Sequence, residues 1–326
     1  MATYDAEVRQ AVADEQQDLV DHPEHCSADA EALAGIGRAL GHQVRMRLAA
    51  DPPVFGLYTV SQTRDETPDT IVRMGRGGRE RLGTTDPFAG VVESVVPRQR
   101  LTDAEAERLG EFVERLSDDG THRGLLAIAP HGGDIEPHTD TQAVRVAECL
   151  TSYGVSTWLC KGFGLSRRGA AALHVTSVDI HPASFPALGS VIGRRFRYAV
   201  AFHGFRDDGV LVGGGAPFRL KAEIATAIED AVAGSGIRVR IAGPDDEFNG
   251  DSPRNIVNRL TAGGRGGIHL EQSRAARTGH ALDIADAVAH VFAGRLARPT
   301  DPGPWWWRLL RRLWDALRSR LQSRPS

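Results

Sequence analysis

Apolar positions in the first fifty residues recur at helical spacing, Val8, Val12 and Val20 and then Leu33, Ile36, Leu40 and Val44, which predicts helices there. Residues 53–100 are richer in β-branched and aromatic side chains, and 54–60 and 70–74 are predicted strands. Thr102-Asp-Ala-Glu105 is a capping box, predicted to open a helix to about Leu116. From Leu125 the pattern changes. Short apolar runs at 125–129, 155–160, 173–178, 196–202, 237–242 and 267–270 alternate with helical stretches at about 139–152, 183–194, 217–234 and 280–294. Strands alternating with helices imply an α/β fold, a mainly parallel or mixed sheet flanked by helices. The chain divides into an N-terminal α+β extension at 1–123, an α/β domain at 124–298, and a tail at 299–326.

The tail has its own pattern. After Pro302-Gly-Pro304, residues Trp306, Leu309, Leu310, Leu313, Leu317 and Leu321 share one helical face, with most arginines elsewhere. A basic, Trp-rich amphipathic helix over 305–321 suits a peripheral membrane or protein contact, and equally suits packing on the body. Residues 301–326 carry six Arg and two Asp, so the remainder is more acidic than the net charge of −3 suggests. That balance argues against nucleic acid as a partner. Cys26, Cys149 and Cys160 are too few for a disulfide framework and fit no zinc-finger spacing. The N-terminus has no signal-peptide pattern and no segment has the length of a membrane span, so the expected location is cytoplasmic, with the tail leaving a peripheral membrane position open.

The candidate chemistry begins at Leu125-Leu-Ala-Ile-Ala-Pro-His131-Gly-Gly-Asp-Ile-Glu136. Here a buried strand runs straight into a His, two glycines and two carboxylates. Ligands in open α/β sheets collect beyond the carboxyl ends of strands. Gly132-Gly133 permit a turn tight enough to aim His131 and Glu136 at one metal ion. Two further strands end in suitable groups: Ala199-Val-Ala-Phe-His203-Gly204, and Gly267-Ile-His-Leu-Glu271. His22-Pro-Glu-His25-Cys26 has ligand types too, but a Pro-interrupted turn between helices is the better account. Gly75-Arg-Gly-Gly-Arg79 lacks the Walker lysine and is read as a glycine-rich turn.

Ala129-Pro-His-Gly-Gly-Asp-Ile-Glu136, Leu173-His-Val-Thr-Ser177, Ala201-Phe-His-Gly-Phe-Arg-Asp-Asp208 with Gly213-Gly-Gly215, Asn255-Ile-Val-Asn-Arg259 and Leu270-Glu-Gln-Ser273 occur in this order. Together they resemble the poly-γ-glutamate hydrolases, a family of zinc enzymes with a carboxypeptidase-like α/β fold. The resemblance covers about 124–295. It implies that 124–298 is a zinc hydrolase domain, that Zn2+ is held by His131, Glu136 and His203, and that Glu271 is the general base. Four residues separate His131 from Glu136, where ordinary zinc carboxypeptidases have two, so the likeness is to the poly-γ-glutamate hydrolases rather than to them.

The implied reaction is hydrolysis of γ-glutamyl or related isopeptide bonds by metal-activated water, the substrate being an anionic peptide or γ-glutamyl polymer. An acidic body needs a local Arg cluster to bind a polyanion. Arg167, Arg168, Arg254, Arg259 and Arg265 are candidates, Arg259 first, with pairing to Asp245 or Asp246 as its bland alternative. Asn258 and His174 lie in the matching motifs and are expected near substrate, His174 being equally readable as a hydrogen-bonded core residue. His138 is a substitute ligand, His181 and Asp134 are supporting groups, and His269 is expected to be structural. Two rivals to the enzyme remain: a non-catalytic module that binds anionic polymers, and a membrane- or partner-associated protein acting through its C-terminal helix.

Overall fold

The computed structural model describes residues 2–12, 15–49 and 54–297. Its first third is a closed barrel, not a helical segment. Strands β1 (Thr3–Gln10), β2 (His25–Ala28), β3 (Gln43–Leu48), β4 (Val54–Thr63), β5 (Ile71–Met74) and β6 (Phe88–Glu93) close in the order β1-β5-β2-β4-β3-β6, with β6 returning to β1. Among the described residues, α1 (Gln17–Asp21), α2 (Ala30–Gly35) and α3 (Arg76–Arg81) interrupt them. The helical spacing of valines predicted otherwise. What decides the structure is alternation: Ala6 and Val8, and Val44 and Met46, point into the barrel with Cys26, Tyr58, Val60 and Val72. The glycine-rich stretch from Gly75 caps and enters α3.

The capping box at Thr102 opens α4 (Asp103–Leu109), with both reciprocal hydrogen bonds formed. This helix ends earlier than predicted because Gly110 takes the left-handed conformation (φ 67°) of a C-terminal cap. Phe112–Ser117 is then a strand, β7, at the edge of the second sheet. The sheet therefore takes up residues that the sequence assigned to the extension.

That sheet comprises β7, β8 (Leu125–Gly133), β9 (Ser156–Gly162), β10 (Tyr198–Gly204), β11 (Val210–Gly213), β12 (Val239–Ile241) and β13 (Gly267–Gln272), in the order β12-β11-β13-β10-β8-β9-β7. The four central strands β13, β10, β8 and β9 are parallel, while β11 runs against β13 and β7 against β9. It is the mixed α/β sheet expected. In chain order its helices are α5 (Thr139–Cys149), α6 (Arg167–Ala171), α7 (Pro186–Val191), α8 (Phe218–Ala231), α9 (Ile256–Arg259), α10 (Arg274–Gly279) and α11 (Ala281–Leu296). The predicted strand at 173–178 is absent: the segment is irregular, with Leu173, Val175 and Ser177 buried.

Both faces of β8 are buried, and its residues alternate between two cores. Leu125, Ala127 and Ala129 pack under α5, α8 and α11, against Val146, Ile224 and Phe292. Leu126 and Ile128 face Trp158, Phe185 and Val257, where Leu57 of the barrel also inserts. No described helix is long and apolar enough to cross a membrane. The tail lies outside the described residues.

Candidate metal centre

Strand alternation explains how the site assembles. On β10, Val200 and Phe202 face the three-helix core, so Ala201 and His203 face the other side. On β13, Ile268 and Leu270 do the same, which turns His269 and Glu271 toward His203. Register completes the match, pairing Ala201 with His269 and His203 with Glu271. On β8 the same alternation would send residue 131 to the wrong face. A register shift between Ala129 and Gly132, one extra residue relative to β9, reverses the parity and brings His131 round.

Gly133, at φ 69°, then turns the chain; a Cβ there would lie 2.7 Å from the Gly162 carbonyl oxygen. The turn returns Glu136 to His131, with its Oε1 3.0 Å from His131 Nδ1. His203 Nδ1 lies 3.1 Å from His131 Nδ1 and 3.4 Å from Glu136 Oε2. Ligand atoms about 2.0–2.1 Å from a tetrahedral zinc stand roughly 3.3 Å apart, so these three donors have the spacing the metal requires.

Protonation supports this arrangement. The Val175 carbonyl accepts from His131 Nε2 at 2.8 Å, so a metal held at Nδ1 would find the ring's proton on Nε2; without one, burial disfavours charge on His131 but Glu136 outweighs it and raises its pKa. Ser177 Oγ lies 3.4 Å from His203 Nε2. Glu136 Oε2 is buried with no hydrogen-bond partner, and a buried carboxylate oxygen is costly to leave so. Burial opposes charge on Glu136, yet the imidazoles of His131 and His203 outweigh it and hold the carboxyl well below its ordinary range. Burial, reinforced by His269, keeps His203 below the usual histidine value, favouring the neutral ring that a metal needs. The donor set, the spacing and the orphaned oxygen all fit zinc.

Other predicted residues divide. His174 stacks on His131 at 4.0 Å between ring centroids, with Nε2 4.0 Å from Glu136 Oε1, so it is a further imidazole at the same cluster. Glu271 is buried in the adjacent strand and accepts from His269 Nε2 at 2.9 Å. His269 is no bystander: it also stacks on His203 at 4.4 Å. Its place two residues before Glu271, and therefore on the same strand face, was the available signal.

Asn258, expected near substrate, sits among backbone groups. Its amide is buried and spent on the backbone, accepting from Gly215 N and donating to the Gly250 and Ser252 carbonyls. Arg259 donates to the Ile180 carbonyl at 2.7 Å, while Asp246 pairs with Arg240 instead. His181 stacks on His42, and Asp134 and His138 are exposed. Sequence reasoning missed Arg277, which is buried, donates to the Pro137 carbonyl at 2.8 Å, and feels the charges of Glu136 and Glu271. Gly204 lets the Arg277 guanidinium lie close against the backbone: a Cβ there would come within 2.4 Å of it and displace it. Arg277, Arg274 and Arg167 line one pocket of about 580 Å3 beside the Asp134–His138 turn.

The poly-gamma-glutamate hydrolase family model matches residues 104–283, more than half the chain and all the motifs just described. The chain belongs to the poly-gamma-glutamate hydrolase family. It is 26% identical over 144 residues to the SPbeta prophage-derived protein YoqZ of Bacillus subtilis (strain 168), a match covering 43% of this chain and 46% of that protein. The chain thus spans about half the length of the curated relative it matches. Among solved structures, a bacteriophage poly-gamma-glutamate hydrolase is 29% identical with a TM-score of 0.44, covering 56% of this chain and 89% of that one. A zinc-free YNDL structure is 21% identical with a TM-score of 0.43, covering 56% and 90%. The family match begins inside α4, so the barrel lies outside it.

Proposed function

We propose that this chain is a zinc-dependent amidohydrolase that cleaves γ-glutamyl or related isopeptide bonds in an anionic, poly-γ-glutamate-like substrate. The observation carrying this reading is the convergence of His131 Nδ1, His203 Nδ1 and Glu136 within 3.0–3.4 Å of one another, with Glu136 Oε2 unpartnered. Zinc held there would supply Lewis acidity toward the scissile carbonyl and a lowered pKa for water.

The protein's own groups divide the remaining work. Glu271, beside His203 in register, is the proton carrier: it accepts a proton from the attacking water and returns one to the leaving amine. His269 Nε2–H, donating to Glu271 Oε1, fixes which oxygen is free for that task. Carboxylates of the substrate are met by Arg167, Arg274 and Arg277 in the adjoining pocket, where guanidinium groups recognise them in bidentate fashion.

Glu271→Gln tests the assignment and separates an enzyme from a module that only binds polymers. Turnover is expected to fall by roughly 10²–10⁴-fold while zinc is retained. Undiminished hydrolysis in the variant would remove Glu271 from the mechanism.

A further inference from the structure

The segment from Ala171 to His181 connects the two halves of the molecule. It carries His174, the Val175 carbonyl that fixes the His131 tautomer, and Ser177 against His203. It forms no strand. What holds it is the barrel. Arg81 of α3 donates through Nη2 to the carbonyls of Ala172 at 3.0 Å and His174 at 2.8 Å, and through Nη1 to Leu57 of β4 at 3.0 Å. Leu57 N in turn donates to the Ala172 carbonyl at 2.8 Å. Glu24 bonds the Thr176 hydroxyl. Gln43 of β3, fully buried, donates to the Asp179 carbonyl at 2.7 Å and accepts from His181 N at 3.0 Å.

Arg81 is half-buried, with its guanidinium 5.0 Å from the Tyr58 ring centroid, and spends its fork on carbonyl oxygens. Desolvating a guanidinium is costly, and neutral acceptors return less than a carboxylate would. Such a residue serves geometry more than stability. We propose that the barrel is a positioning device for the metal centre, with Arg81 as its principal positioning residue. It locks the 171–181 backbone so that Val175 holds His131 in its ligating tautomer and orientation. This rests on the metal reading above, although its effect on the segment itself does not.

The full-length chain carrying Arg81→Met or Arg81→Lys should be compared with Arg79→Met. Arg79 is a buried arginine that also donates to carbonyls, those of Met74 and Thr85, but both lie within the barrel region. Two readouts apply: amide hydrogen exchange across 171–181 in metal-free protein, and zinc affinity by chelator competition. Arg81→Met is expected to speed exchange in that segment and weaken zinc binding by about 10–100-fold, with Lys recovering part of the loss and Arg79→Met changing neither. Parent-like exchange and affinity in Arg81→Met, or equal changes in Arg79→Met, would overturn the proposal. Should Arg81→Met fail to fold, Thr176→Val breaks the Glu24 contact and is expected to loosen the same segment; parent-like exchange there would again count against it. A parent chain that takes up no zinc sinks the metal reading, and the exchange arm alone then judges the proposal.

Discussion

At the scale of single residues, the site is built from side chains whose partners are backbone atoms or one another. His131 has its proton placed by a carbonyl, Glu136 keeps an oxygen free, and His203 is held neutral by burial. Another histidine, His25, works differently. It bridges Asp18 of the barrel region and Asp179 of the segment behind the site, at 2.9 Å on each ring nitrogen. Burial disfavours its charge, but the hydrogen bonds and charges of Asp179 and Asp18 prevail and raise its pKa above 6.5. A group whose folded value is raised stabilises fully below its unfolded value and loses that contribution as pH rises through the folded one. Metal-free protein is therefore expected to lose part of its stability as pH climbs above about 6.5 and through the raised His25 pKa. In His25→Gln that part should vanish, as read from urea midpoints. Identical pH dependence in parent and variant would show that the bridge contributes nothing.

At the scale of elements, the strand ends were legible and their setting was not. His131, His203 and Glu271 follow apolar runs, so their places on β8, β10 and β13 could be read directly. The β8 bulge could not be read, because a one-residue slip leaves no mark on an all-apolar strand. Arg277 lies on α10, and only the packing of that helix beneath Gly204 brings it to the site. Asn258 shows the opposite failure: a polar residue in a matching motif is consumed by loop carbonyls and the Gly215 amide. The barrel strands predicted at 54–60 and 70–74 are present as β4 and β5, whereas its first fifty residues were misread because their inward positions alternate over strands too short to outweigh a chance helical spacing of valines. The β8 turn offers a direct check. Gly133→Ala forces a Cβ into a left-handed position against the Gly162 carbonyl, and is expected to cost roughly 1–3 kcal/mol and to weaken zinc binding. Unchanged urea stability would mean that the turn relaxes freely.

At the scale of the whole molecule, a closed barrel and a mixed sheet meet along Leu57, Arg81 and the 171–181 segment, and the candidate metal centre lies on the sheet side of that seam. The proposed action of an acidic body on a polyanion requires local recognition, for which the pocket of Arg167, Arg274 and Arg277 is the candidate. All of this turns on a metal at His131, Glu136 and His203. The most direct test is the metal content of the purified full-length chain at neutral pH, coupled to hydrolysis of poly-γ-glutamate before and after chelation and after zinc is restored. The expected result is one zinc per chain, cleavage abolished by the chelator, and cleavage recovered with added zinc. A chain that binds no zinc, or that cleaves equally well after the metal is stripped, would contradict the account.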